Sequence, residues 1–314
     1  MREIVVFSGS SHPELAAEIC QRLQAPLSPS TVKRFTNDCL EVQLNANCRE
    51  RDVFLIQTLS PPVQEHLVEL LLMIDAARGA SAARITVVMP FYAYARSDKK
   101  DAPRISIGGR LVADLLATSG ANRVLTMALH APQVHGFFSV PVDHLHALHE
   151  LADHFRRYDL SNTIVVSPDL GGAKSAAAFA RRLGLPVAAG AKQRINDEKV
   201  VISAIIGETA GRDVIVLDDE IAAGATVIEL LEHLRAAGVG KVRVACTHGL
   251  FGRQALTRLA AQPEVVEIVT MNTVPVAPEK RVDKLTVLSV APALAEAMRR
   301  IHDGESVSEL FDER

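Results

Sequence analysis

The chain has 314 residues, 48% of them hydrophobic, and carries a net charge of −3. That is enough apolar material for one large or two ordinary cores, and the near balance of charge argues against a nucleic-acid partner or a membrane surface. Its four cysteines, Cys20, Cys39, Cys48 and Cys246, show no C-x-x-C spacing and read as reduced thiols. No apolar run approaches a membrane span, and the opening apolar run is too short for an export signal, so a soluble cytoplasmic protein is the expectation.

In chain order, EIVVFSG (3–9) reads as a strand and HPELAAEICQRLQ (12–24) as an amphipathic helix. CLEVQLN (39–45) alternates like an antiparallel strand, and DVFLIQTL (52–59) is a short apolar run that suits a buried strand. The helix 63–80 ends at a glycine, and the strand ARITVVMP (83–90) runs into a long polar connection, 91–109. Helix 110–120 and strand RVLTMALH (123–130) complete a first half.

The second half repeats the plan. Helix 145–157 precedes strand TIVVSPD (163–169), helix 171–184, and strand PVAAGAKQR (186–194), which runs into a loop carrying Lys192 and Arg194. Further strands fall at 213–219, 241–249, 266–272 and 284–290, and 290–302 is a closing helix. Strand–helix alternation of this kind predicts an α/β chain of two tandem doubly wound parallel-sheet domains. The domains are drawn at 1–146 and 147–314, with the closing helix able to pack back on the first.

The chain is organised around DVIVLDDEIAAGAT (213–226). A buried apolar strand ends in Asp218 and Asp219, and a turn of small residues, Ala222, Ala223, Gly224, Ala225 and Thr226, opens a helix. Ligands of open α/β sheets bind at such carboxyl ends. Helix-opening amides grip a phosphate there, because they are unpaired and carry the positive end of the helix dipole. Paired carboxylates suit sugar hydroxyls or a divalent metal. A sugar phosphate fits both halves of the site, while G-x-x-x-x-G-K-[ST] and G-x-G-x-x-G are absent.

This stretch resembles the sugar-phosphate loop, D-D-x-x-x-T-G-G-T, of type I phosphoribosyltransferases and ribose-phosphate pyrophosphokinases. RDVFLIQ, VELLLMIDAARGASAARITVVMP, YARSDKK, LHAPQVHGFF and VVSPDLGG follow in the order of the second family, and the resemblance spans nearly the whole chain. It implies two type I phosphoribosyltransferase-like domains and the conversion of ATP and ribose 5-phosphate to 5-phosphoribosyl 1-pyrophosphate and AMP, with Mg²⁺. It also implies a homo-oligomer, usually a hexamer, with Phe35 offered to a neighbouring subunit's adenine.

By the same resemblance, Phe35, Asn37, Arg96, Ser97, Asp98, Lys99 and His130 bind ATP, and His130 and Asp169 serve the metal. Lys192 and Arg194 are the catalytic pair, and Asp218, Asp219 and residues 222–226 hold ribose 5-phosphate. A regulatory phosphate or ADP site would draw on Arg49, Ser81, Lys100, Arg104, His135, Asp143, His144, Ser306, Ser308 and Phe311. The chain departs from the family at Ser97, Asn37, Cys39 and Ala128, at Ala222, Ala223 and Ala225, and at His135 and His144. Three alternatives remain: a catalytically weak or inactive relative that regulates a partner, a phosphoribosyltransferase, and a transcriptional regulator. No basic helix-turn-helix stretch supports the last.

Overall fold

The computed structural model describes residues 3–194 and 200–311, with the backbone alone described at 192–194, 200, 201, 309 and 311. The chain divides into two compact units. One comprises Met1–His146, Thr273–Pro275 and Ser289–Asp312, and the other Ala147–Asn272, Val276–Leu288 and Glu313–Arg314. No helix among the described residues is long and apolar enough to cross a membrane.

In the first unit, β1 (Ile4–Ser8) leads into α1 (Pro13–Leu23). Pro13 opens that helix and His12 Nδ1 accepts the Leu15 N–H at 3.4 Å. β2 (Leu27–Ser28) follows, then the antiparallel hairpin β3 (Ser30–Arg34) and β4 (Leu40–Leu44). β5 (Asp52–Ile56) is buried along its whole length, as a central parallel strand must be. Then come α2 (Val63–Gly79), β6 (Arg84–Met89), α3 (Gly108–Ser119), β7 (Arg123–Met127) and β8 (Val142–Leu145). The six main strands form a parallel sheet in the order β2-β1-β5-β6-β7-β8.

The second unit begins with α4 (Leu148–Phe155), shorter than the helix expected at 145–157 because Leu145 is taken into β8 by its pairing with Met127. β9 (Thr163–Ser167), α5 (Ala173–Leu183), β10 (Val187–Arg194) and β11 (Val200–Ile206) follow. β10 and β11 pair antiparallel, so the backbone of Lys192 and Arg194 lies on a strand and not on the loop read from the sequence. Pairing with β11, which carries no turn signal of its own, extends the strand. β12 (Asp213–Ile221), α6 (Ala225–Ala236), β13 (Val242–Gly249), α7 (Ala255–Ala260), β14 (Val265–Met271) and β15 (Leu285–Leu288) complete a seven-stranded sheet. Its order is β11-β10-β9-β12-β13-β14-β15.

The closing helix α8 (Ala291–Asp303) belongs to the first unit and packs on α1. Asp52, almost wholly buried, receives Arg84 and the His302 Nδ1 at 2.8 Å, and Arg84 also donates to the Ile301 carbonyl at 2.9 Å. Ser289 Oγ adds a bond to Glu18 at 2.7 Å. A buried carboxylate is tolerated only when partnered in this way, so the end of α8 completes the first core.

Candidate active site

In the second unit the chain leaves β9 outward to β10 and returns on the opposite side at β12, so adjacent β9 and β12 mark the switch point of the sheet. Crevices at such points hold ligands. Asp169 follows β9, and Asp218 and Asp219 lie in the last part of β12, which runs on to Ile221. Asp218 and Asp219 therefore lie within the strand and not in the turn beyond it, and all three acids are half-buried. Asp169 Oδ1 accepts the Gly172 N–H at 3.0 Å, fixing the start of α5. Asp218 Oδ1 accepts the Asp219 N–H at 2.9 Å.

Burial, first of all, pushes the Asp218 carboxyl well above the usual carboxylate range, and the neighbouring charges of Asp219 and Asp169 add to it. The Asp218 carboxyl therefore gives up its proton less readily than an exposed one.

Beyond the acids the chain turns at Gly224, whose φ of +72° places it in the left-handed region, and α6 opens at Ala225. A side chain there would meet Ala255 at 3.2 Å as well as the backbone penalty. Helix-opening N–H groups without intrahelical partners stand at this end of α6. The turn thus offers backbone donors and the Thr226 hydroxyl, while Ala222, Ala223 and Ala225 offer no polar side chain. Behind it runs a polar row that the sequence reading missed. Asp218, Cys246 and Thr270 pair across β12, β13 and β14, and Glu220, His248 and Asn272 form a second row two residues on. The signal was available: polar residues at every second position where apolar strands end.

The first unit has its own switch point between β1 and β5, and side chains fill it. Gln57 Oε1 accepts the Ser11 N–H at 3.0 Å, the Thr58 N–H donates to Ser11 Oγ at 2.9 Å, and a side chain at Gly9 would run into Gln57. Its candidate residues stand elsewhere. β6 leads through buried Tyr92 into a short turn, Ala93–Arg96, from which Arg96 emerges exposed. Ser97 is committed to opening α3: its Oγ accepts the Gly108 N–H at 2.8 Å and its carbonyl the Gly109 N–H at 3.0 Å. Asp98 takes the Gln133 amide at 2.6 Å, tying this loop to the turn after His130, and Lys99 is exposed.

His130 is exposed beyond β7, after Ala128 at φ +44°. The backbone before it is held by His144, whose Nε2 accepts the Leu129 N–H at 2.8 Å. Phe35 is 47% exposed at the tip of the β3–β4 hairpin, where an aromatic that filled only its own core would not sit. Asn37 Oδ1 is engaged by the Cys39 N–H at 3.3 Å within the same turn.

The residues read as regulatory fall into separate groups. Arg49 bridges Ala82 beside Ser81, whose carbonyl accepts the Glu50 N–H at 2.9 Å. β8, bearing Asp143 and His144, packs on the turn Ser308–Phe311, and His135 Nε2 lies 2.9 Å from the Val142 carbonyl. Asp143 is buried and spent on Arg123 at 2.5 Å. The Ser306 carbonyl is held by Arg300 at 2.9 Å, and Lys100 and Arg104 are exposed on the connection before α3. The side chains of Lys192, Arg194 and Phe311 lie outside the described residues. Among the described residues no group of three or more His, Cys, Asp or Glu forms a metal cluster.

Comparison with known proteins places this arrangement. Residues 4–120 match the N-terminal domain of ribose phosphate pyrophosphokinase, and residues 192–312 match the phosphoribosyl synthetase-associated domain. A Streptomyces coelicolor protein provisionally named a ribose-phosphate pyrophosphokinase is 72% identical over 100% of this chain and 99% of its own. The ribose-phosphate pyrophosphokinase of Deinococcus radiodurans is 49% identical over 98% of both chains. The crystal structure of phosphoribosylpyrophosphate synthetase from Mycobacterium smegmatis superposes with a TM-score of 0.91 at 37% identity, covering 96% of this chain and 100% of that one. The fold is thus the two-unit phosphoribosyltransferase-like α/β fold read from the sequence, and the chain belongs to the ribose-phosphate pyrophosphokinase family.

Proposed function

We propose that this chain transfers the pyrophosphoryl group of ATP to the anomeric hydroxyl of ribose 5-phosphate, giving 5-phosphoribosyl 1-pyrophosphate and AMP. The observation that carries this reading is the acid pair beside the glycine turn that opens α6, at the second unit's switch point, in a chain of this family. Asp218 and Asp219 hold the ribose hydroxyls. The amides opening α6, with Thr226, hold the 5-phosphate.

The sugar's anomeric hydroxyl oxygen attacks the β-phosphorus and gives up its proton to solvent, the bond from that phosphorus to the oxygen bridging it to the α-phosphorus breaks, and that oxygen leaves with AMP. Such transfers depend on positioning and charge stabilisation. Arg96 and Lys99 are assigned to the ATP phosphates, where a planar guanidinium suits paired oxygens, and Phe35 and Asn37 to adenine. Ser97 and Asp98 shape that loop. Lys192 and Arg194 neutralise charge that grows on the transferred group.

A divalent ion, Mg²⁺ by preference, would neutralise phosphate oxygens and polarise the phosphorus under attack. One carboxylate, Asp169, and the His130 imidazole are the assigned contacts. Such a sparse set fits Mg²⁺, which commonly takes its remaining ligands from substrate phosphates and water. The same family reading proposes a cytoplasmic homohexamer and a phosphate or ADP effector. AMP formation from ATP, measured with and without ribose 5-phosphate, tests the whole. Dependence on the sugar phosphate is expected, and binding of both ligands without AMP would favour a regulatory, inactive relative.

A further inference from the structure

The turn that grips the sugar phosphate is itself held by the segment following β13. The Leu250 and Phe251 N–H groups both donate to the Ile221 carbonyl at 3.1 Å, and the Gly252 N–H donates to the Ala222 carbonyl at 2.8 Å. Three residues here, Phe251, Arg253 and Gln254, have positive φ, at 47°, 50° and 58°. Bulky side chains rarely adopt that region, and such conformations persist only where the surroundings over-determine them. The left-handed turn at Phe251 brings two successive N–H groups to one carbonyl while the ring turns inward.

That ring is 3% exposed and shares a core with Ile221, Val227, Ala255 and Leu259, which flank or back the turn. Gly249 makes room for it: a side chain there would run into the ring and come within 2.6 Å of Thr270 Oγ1. The same segment delivers Ala255 to its place behind Gly224. With alanine at 222, 223 and 225, the turn binds through backbone donors and Thr226. Its affinity then depends on where the backbone is held, because a hydrogen bond weakens steeply with misalignment.

We propose that Phe251 is a positioning residue for ribose 5-phosphate binding, a wedge that fixes the 221–226 turn through the Leu250–Gly252 strap. This rests on the functional reading above. The test measures ribose 5-phosphate affinity by calorimetry and the KM for each substrate in Phe251→Leu and Phe251→Ala. Phe155→Leu, a fully buried position of the same unit on α4, serves as the stability control.

A graded loss is expected, about threefold for leucine and tenfold or more for alanine, which is of the size that small misplacements produce. ATP KM should stay within about twofold, because the strap holds the sugar-phosphate turn alone. Phe155→Leu should lower the melting temperature and leave ribose 5-phosphate affinity unchanged. If Phe251→Ala does not fold, Phe251→Leu decides. Unchanged sugar-phosphate affinity in the leucine variant, or an equal loss in the control, overturns the proposal while leaving the functional reading intact. Wild-type protein that binds no ribose 5-phosphate overturns both.

Discussion

Asp218 and Cys246 stand opposite one another in parallel register, and the Cys246 thiol passes its hydrogen bond on to Thr270 Oγ1 at 3.4 Å. Burial, and then the charges of Asp218 and Asp219, push that thiol up to about 12. The floor of the acid pair is therefore a neutral donor at working pH. Deeper in the first unit, burial alone lifts Cys20 to about 11 and raises Cys48. Cys39 is exposed. Only the thiolate reacts, and a buried thiol meets no reagent. Native protein with a disulfide reagent at pH 8 should therefore show one fast thiol, with the remaining three appearing after denaturation. A second fast thiol in the native chain would contradict the burial of Cys20, Cys48 or Cys246, and mapping the labelled residue would say which.

Glu267 on β14 is a half-buried carboxylate with a different fate. Burial alone would raise it, but His154 at 2.9 Å, Thr286 at 2.9 Å and the Tyr158 hydroxyl at 3.0 Å outweigh that and hold it down to about 2. Arg243, stacked 4.2 Å over the Tyr158 ring, and Arg157 also face this group. A carboxylate with a depressed folded value stabilises the fold above its unfolded value, about 4.3, and loses that contribution as pH falls toward 2. Glu267→Gln should therefore cost stability at pH 7, and the deficit should shrink between about pH 4.5 and 2. Denaturant unfolding at several pH values reads this directly. A deficit constant with pH would mean that the network acts through packing and not through charge.

Much of the second unit was legible because its local and tertiary signals agree. Val214–Leu217 form a continuous apolar run, which only a strand covered on both faces needs, and two acids beside a glycine turn mark its ligand end. β11 and β8 were not legible. Each is a strand because of its partner across the sheet, and no turn chemistry in the sequence announces that partner. Ser97 and Asp143 show the same limit in the candidate site. Their residue types allow ligand contacts, but Gly108 and Arg123 claim them once the chain is folded. The strap at Phe251 was hidden for another reason: a phenylalanine at positive φ carries no sequence signature, whereas glycine there would have.

The role proposed for Lys192 separates catalysis from binding. Its proposed role is to neutralise charge that develops during transfer, so the interaction is worth most in the transition state. Lys192→Ala should lower kcat by about a hundredfold or more and change the binding of ATP and ribose 5-phosphate little. Loss of one such donor typically has this magnitude, and equal falls in kcat and kcat/KM identify a contact made only in the transition state. Steady-state kinetics beside calorimetry distinguishes the outcomes. Unimpaired turnover would remove this strand from the chemistry.

The three alanines of the turn proposed to hold the sugar phosphate lead to a gain-of-function prediction. Where the family's usual turn supplies an acid and a threonine, this chain has Ala222 and Ala223, and the contacts proposed for the sugar phosphate come from backbone donors, Thr226 and the acid pair. A hydrogen bond to a charged group contributes about 1.5–3 kcal/mol, or roughly one to two decades of affinity. Wild-type protein should accordingly turn over with a high KM for ribose 5-phosphate. Ala222→Asp combined with Ala223→Thr should lower that KM about tenfold and leave the KM for ATP nearly unchanged, because the altered side chains stand only at the turn in the second unit. Ala222 and Ala223 are half-buried, which leaves each position partly open to a larger side chain. The Gly252 N–H on the Ala222 carbonyl, which any residue at 222 retains, should preserve the path of the turn. A double variant that folds with an unchanged melting temperature yet binds ribose 5-phosphate no better would show that backbone donors already saturate the phosphate, and that the alanines cost this chain nothing.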